Sequence, residues 1–417
     1  MRAASVFRLE TLGLDLLEGI LSELTPREAV HARATCRVMR DACRNLERNA
    51  REGGRGRRHR CRVVVGCSRS SELVELDGTA FEATGRRAGA WVTTRHPKRP
   101  HDAWLTGVAL DRASGDIFAA QYQKRGVLRF DANLRYRKIL HGVGKRLECP
   151  EGVAVARGRV FVATGQGILA VLDQATGEIL DRRLAETPDD ASGETCVPWG
   201  LTVGPDDALY VCVDDSYHGE PPDFYIRPPR CPRCGVVHPT GRVLRVPLAV
   251  DDAGEWTGFS ETEPPRTYVS GLVRPSGLCF HPDTGDLLVT TLDARVRRFA
   301  GPRATFPGER KGIFFAAVPS RTRTSPDGAK AAATTDETNA VDEERSNACE
   351  IEMERTKMQP FDVCAPPRQG GTVFVSVHAG NKCERGGVVA CDVGGRVLGW
   401  IRHERLRGTH PNMMCAE

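Results

Sequence analysis

Thr106-Gly107-Val108-Ala109-Leu110, Glu151-Gly152-Val153-Ala154-Val155, Trp199-Gly200-Leu201-Thr202-Val203 and Ser276-Gly277-Leu278-Cys279-Phe280 are copies of one word. Pro150, Pro198 and Pro275 stand immediately before three of them. Each copy is followed by a turn and a second apolar run: Ile117-Phe118-Ala119, Val160-Phe161-Val162, Leu209-Tyr210-Val211 and Leu287-Leu288-Val289. A third run then closes in or near an acidic or aromatic residue, as in Val127-Leu128-Arg129-Phe130-Asp131 and Leu169-Ala170-Val171-Leu172-Asp173. Gly107 to Gly152 is 45 residues and Gly152 to Gly200 is 48, a period too short for a separate domain and filled with short strands rather than helices. A repeat in the forties built from three or four antiparallel strands has the arithmetic of a ring of small sheets.

Working outward, a fifth copy has a degenerate first strand at Phe361-Asp362-Val363-Cys364. It continues through Thr372-Val373-Phe374-Val375-Ser376, Val388-Val389-Ala390-Cys391-Asp392 and Arg396-Val397-Leu398-Gly399. The two ends of this region are complementary. Arg62 to Ala83 supplies later strands (Val63-Val64-Val65, Leu73 to Asp77, Ala80-Phe81-Glu82) without a first one, and Pro411-Asn412-Met413-Met414 reads as a first strand alone. Joined, they make a sixth unit and leave no open sheet edge. The expected fold is mainly β, a six-bladed β-propeller over residues 62–417, interrupted by insertions at about 214–240 and 319–359. The second insertion, rich in Thr, Ala, Ser, Asp and Glu with no apolar period, reads as disordered. The word Pro-x-Gly-apolar-x-apolar before a hydrophobic strand resembles the NHL-type and lactonase-like six-bladed propellers.

Upstream the pattern changes. Leu14, Leu17, Leu21 and Leu24 recur every three or four residues, as on one face of a helix. Thr25-Pro26-Arg27-Glu28 is a helix start, with a capping threonine, proline at the first helical position and Glu28 completing the capping box. Two or three short helices over residues 9–46 bury too little surface to stand alone, so they are expected to dock on something. The stretch Leu12 to Glu28, followed by Thr35-Cys36-Arg37-Val38-Met39-Arg40-Asp41, resembles an F-box. That resemblance implies contact with a Skp-type adaptor, and through it a cullin scaffold, by Leu12, Leu16, Leu17, Ile20, Leu21, Leu24, Pro26, Cys36 and Met39. Gly13 stands where the family usually has proline, and Met39 where it usually has tryptophan. Residues 47–61 form an Arg/Gly-rich linker, with Arg55, Arg57, Arg58 and Arg60 among Gly53, Gly54 and Gly56.

In propellers of the resembled type the residue before each glycine points toward the central channel. Here that set is Thr106, Glu151, Trp199, Ser276, Asp362 and Asn412. In lactonase-like members such positions hold one divalent metal that polarises an ester and activates water. Glu151, Asn412 and Asp362 suit that role; Trp199, Ser276 and Thr106 do not. A second candidate metal site lies in the first insertion, where Cys231-Pro232-Arg233-Cys234-Gly235 and His238 have half the ligand spacing of a structural zinc knuckle. No other cofactor is expected.

Lys and Arg number 59 against 54 Asp and Glu, for a net charge of +5, so no whole-molecule field for polyanions arises and nucleic acid is not an expected partner. No run approaches the ~20 apolar residues of a membrane helix. The 15 scattered cysteines sit mostly in apolar runs, as expected of reduced thiols in a cytoplasmic or nuclear protein. No nucleophile elbow or phosphate loop occurs. The sequence therefore points to a non-catalytic substrate-recognition subunit of a Skp/cullin/F-box ubiquitin ligase, holding an unidentified protein on the propeller. The alternatives are a metal-dependent lactonase or esterase and a protein or RNA scaffold.

Overall fold

The computed structural model describes residues 61–67, 72–78, 82–89, 105–122, 126–140, 147–187, 196–214, 240–252, 254–316, 358–366, 371–379, 386–401, 406 and 411–416. Within them the chain is a six-bladed β-propeller, each blade a four-stranded antiparallel sheet. The first blade takes β1 (Arg62–Cys67), β2 (Glu72–Asp77) and β3 (Glu82–Gly89) from the start of the ring. The second is β4 (Leu105–Leu110), β5 (Ile117–Gln121), β6 (Gly126–Phe130) and β7 (Tyr136–Leu140). The third is β8 (Pro150–Ala156), β9 (Arg159–Thr164), β10 (Ile168–Asp173) and β11 (Ile179–Leu184). The fourth, β12 (Val197–Val203), β13 (Leu209–Asp214), β14 (Gly241–Val246) and β17 (Arg266–Leu272), carries an inserted hairpin of β15 (Leu248–Val250) and β16 (Trp256–Phe259). The fifth is β18 (Pro275–Phe280), β19 (Leu287–Thr291), β20 (Arg295–Phe299) and β21 (Arg310–Ala316). The sixth is β22 (Met358–Cys364), β23 (Val373–Ala379), β24 (Gly387–Cys391) and β25 (Val397–Ile401). Finally β26 (Pro411–Ala416) returns to the first blade and pairs with β1, Val63 opposite Ala416 and Val65 opposite Met414.

The described part of the third strand of the first blade opens at Glu82, which pairs with Asp77, and Ala80 and Phe81 lie outside the described residues. One boundary differs from the sequence reading. The second insertion yields to strand β22 at Met358, since Met358 and Gln359 already pair with Ala379 and His378.

The apolar runs lack simple alternation because both faces of the middle strands are buried between neighbouring blades. In β5, Ile117 and Ala119 join a cluster with Val64 and Leu73 of the first blade. The intervening Phe118 and Ala120 join Val153, Val160 and Val162 of the third. Period-2 geometry is intact; it simply feeds two cores instead of one core and solvent. Equivalent clusters fill the other junctions, ending with Phe374 and Val388 of the sixth blade against Val63, Val65 and Met414 of the first.

The acidic residues that close the third strands have a local task. Asp131 Oδ1 accepts the amides of Asn133 and Arg135, at 2.9 and 2.8 Å, and Asp392 Oδ1 those of Gly394 and Arg396, at 2.9 Å each. Asp173 Oδ1 accepts those of Ala175 and Thr176, and the Thr176 amide holds its carboxyl below the ordinary range. A short side chain that accepts amides two and more residues ahead closes the turn before the outer strand.

Candidate functional site: the axial channel

The inner strands β4, β8, β12, β18, β22 and β26 surround the axis, and each loses register once near its start. The shifts fall between Leu105 and Val108, Pro150 and Val153, Pro198 and Leu201, Pro275 and Leu278, and Pro360 and Asp362. The sixth falls where β26 meets β1 between Val65 and Cys67. Such a bulge re-aims the side chain at that position and bends the strand toward its neighbour. Glycine follows because neighbouring inner strands nearly touch: a Cβ on Gly107 would stand 2.5 Å from Glu151 O and 2.8 Å from Val153 N. Gly152, Gly200 and Gly277 meet the next blade in the same way.

The residues before those glycines divide into two groups. Thr106, Ser276 and Asp362 tie blade to blade. Thr106 Oγ1 donates to Pro150 O at 2.7 Å, and Ser276 Oγ donates to Phe361 O at 2.6 Å. The Asp362 carboxylate accepts the Met414 amide through Oδ2 at 2.6 Å, fastening the sixth blade to the closing strand. Thr290 reinforces the belt, accepting the Gly277 amide at 2.8 Å. Trp199 is half-buried and packs on the core between the fourth and fifth blades. Glu151 is 5% exposed and makes no hydrogen bond with another described residue. Asn412 lies in β26, and its side chain is outside the described residues.

Burial determines the ionisation of both carboxyls. Glu151 is pushed from its ordinary 4.5 to about 8, and Asp362 from 3.8 to about 7, against the pull of the Met414 and Val363 amides. Between pH 4.5 and 8 folded Glu151 keeps a proton that the unfolded chain has lost. The stabilisation is complete below the lower value and disappears as pH rises through the upper one. Asp362 acts in the same direction between 3.8 and about 7. Urea midpoints are therefore expected to fall from pH 5.5 to pH 8.5 in the native chain, and Glu151→Gln should flatten the decline. An unchanged slope in that variant would show the carboxyl ionises normally.

Among the described channel residues the donors fall short of the single divalent ion that the lactonase resemblance implies. A hard cation takes six to eight converging oxygens. Here the Thr106 and Ser276 hydroxyls are donated to main-chain carbonyls, Asp362 Oδ2 is engaged by an amide, and an indole occupies a fourth position. Among the described residues no cluster of three His, Cys, Asp or Glu side chains is placed to hold a metal.

The ends of the second strands contribute polar residues that sequence reasoning missed. Asp214, at the end of β13, binds Arg274 Nε through Oδ2 at 2.9 Å, with side chains 1% and 7% exposed. Gln121, at the end of β5 and opposite Leu105, is buried with both amide atoms lacking a hydrogen-bond partner. His378 stacks on Phe361 at 4.8 Å. One signal was available, since Ile117–Gln121, Arg159–Thr164, Leu209–Asp214 and Leu287–Thr291 are apolar runs that each end in a polar residue. Beyond the glycine constriction, toward the ends of the inner strands, the channel opens into a cavity of about 560 Å³.

The F-box-like positions from Leu12 to Met39, the arginine-rich linker up to Arg60 and the Cys231, Cys234 and His238 set lie outside the described residues, whereas Cys61, the last linker residue, is buried in the cluster between the sixth and first blades. Neither a family model nor a curated protein matches this chain. Among solved structures it is similar to a chain of a nidogen/laminin complex, at 13% identity and a TM-score of 0.48, over 85% of this chain and 98% of that one. It is similar to a gluconolactonase from Xanthomonas campestris, at 18% identity and a TM-score of 0.41, over 72% and 76%. Another likeness is regucalcin, a calcium-binding protein from Agrobacterium tumefaciens, at 14% and 0.41, over 71% and 73%. No activity passes to this chain at such identities.

Proposed function

We propose that this protein is the substrate-recognition subunit of a Skp/cullin/F-box ubiquitin ligase, in which residues 9–46 dock on the adaptor and the propeller holds a target protein. The observation that carries the reading is the leucine-spaced, F-box-like stretch Leu12 to Asp41 at the head of a closed propeller. Short helices of the kind that the spacing of Leu14, Leu17, Leu21 and Leu24 predicts bury too little surface to stand alone and need a partner surface. The closed ring offers a rigid platform with loops at both ends. Its belt polar groups support holding rather than bond-breaking, since Thr106, Ser276 and Asp362 are engaged between blades. The subunit would bring its target near a ubiquitin-loaded enzyme and contribute proximity. Reduced thiols suit a cytoplasmic or nuclear setting.

The test is co-purification of a Skp-type adaptor with the full chain, compared with Leu17→Asp/Leu21→Asp. Two charges on a buried apolar face are expected to lower recovery at least about ten-fold, with the propeller's thermal transition unchanged. Failure of the native chain to recover the adaptor, or equal recovery by the variant, would remove the assignment.

A further inference from the structure

The cavity beyond the glycine constriction differs from the belt in its chemistry. Its lining is mainly apolar and includes Val153, Leu201, Leu278 and Val363, which also pack into the interblade clusters, and the half-buried Cys279. The inner strand from Gly107 to the end of β4 at Leu110 gives it a depth of ~10 Å at ~3.3 Å per residue, with Arg112 in the turn beyond. The volume of about 560 Å³ lies within the range of small-molecule sites, which are mostly apolar with a few placed polar groups.

Charge at the mouth is asymmetric. Asp111 is occupied, accepting Ser114 Oγ at 2.6 Å and Gln174 Nε2 at 2.7 Å. Arg157 is neutralised by Asp207, which it grips at 2.8 and 2.9 Å. Arg112 also lines the mouth, is exposed, and makes no hydrogen bond or ion pair with any described residue. Its charge reaches inward as far as Cys279, where it opposes the rise that burial imposes on the thiol. At the inner end Asp362 has turned Oδ2 to the Met414 amide, so an alkyl tail reaching it meets an engaged carboxyl. An apolar tube with one uncommitted guanidinium at its entrance is complementary to a molecule with an apolar tail and one terminal carboxylate, the anion guanidinium pairs with in bidentate fashion.

We propose that this outer half of the channel is a binding site for a small carboxylic acid with an unbranched apolar tail, seated with its carboxylate on Arg112. The site borders the belt at Asp362 without including Glu151, and it does not rest on the ligase assignment.

Isothermal titration of the full chain with decanoate and with 1-decanol, which has the same tail without the charge, separates the two halves of the recognition. Decanoate is expected to bind the native chain more tightly than decanol. Arg112→Ala should weaken decanoate about five-fold, as for one ion pair at a partly screened rim, and leave decanol unchanged. Cys279→Phe, which projects a ring into the tube, should abolish both. Absence of decanoate binding, or equal decanoate affinity in Arg112→Ala, overturns the proposal. Arg112 is exposed and outside the core, so that arm remains decisive even if Cys279→Phe fails to fold. Retained binding in a folded Cys279→Phe protein would place the ligand elsewhere and overturn it as well.

Discussion

Deleting Pro411–Glu417 is expected to abolish cooperative unfolding of the propeller at ambient temperature. The deletion strips β26 from the first blade, leaving β1 with an open inner edge where Val63, Val64, Val65 and Cys67 had partners. It removes Met414, Cys415 and Ala416, all buried, from two interblade clusters. It also takes the Met414 amide from Asp362, leaving a buried carboxyl with one fewer donor. At about 1 kcal/mol for each net hydrogen bond and about 2 kcal/mol for a buried methionine, the loss is on the order of 5 kcal/mol or more. Total stability of a domain is about 5–15 kcal/mol. Circular dichroism during thermal melting is the readout, with a broad, non-cooperative loss of strand signal expected. Because Ala416 faces Val63 in an antiparallel pair, a permuted chain that places Pro411–Glu417 directly ahead of Cys61 can form a hairpin and should recover the transition. A full, unshifted transition in the deleted chain would mean the ring does not depend on this closure.

Trp256→Ala carries the second large effect. The β15–β16 hairpin of the fourth blade folds back over the third, and Trp256 is 1% exposed in the cluster between them. Its ring stands edge-on to Phe161 at 5.6 Å, and the Arg157 guanidinium lies over it at 4.8 Å. Side chains of the third blade pin the hairpin's main chain around it: Arg159 Nε donates to Trp256 O at 2.7 Å, and the Phe259 amide donates to Asp181 Oδ2 at 2.7 Å. Truncating a buried tryptophan to alanine costs about 3–5 kcal/mol, read as a fall in the urea midpoint. Trp256→Phe should cost less than half as much, because the indole Nε1 is buried without a partner and phenylalanine removes that unmet donor while keeping a ring. Equal losses in the two variants would show that the aromatic ring retained in phenylalanine does not hold the hairpin.

The strand count and closure were legible because they depend on neighbours along the chain. A Pro-x-Gly word, two following apolar runs and a turn recur, and within a blade each strand pairs with the next in sequence, apart from the hairpin inserted between β14 and β17 and the closing strand β26. Pairing of β26 with β1 was readable for the same reason, as an incomplete unit at each end of the ring. Local chemistry was only half readable. The acidic ends of the third strands were visible as a pattern, but their work as acceptors for turn amides depends on backbone directions.

What the tertiary structure decided is everything that crosses between blades. Phe118 and Ile117 are adjacent and equally apolar, yet they enter different cores, and no local pattern says which. Asp214 and Arg274 are 60 residues apart and meet only when the fourth and fifth blades close. Glu151, Thr106 and Ser276 look alike as polar residues before glycine; geometry gives two of them a carbonyl and leaves the third buried with no hydrogen-bond partner for its carboxyl among the described residues. The strand period is set by steric and hydrogen-bonding preferences over a few residues, so the sequence alone carries it. Burial and pairing are set by distances between segments far apart along the chain, so only the folded ring determines which polar groups are engaged and which remain free.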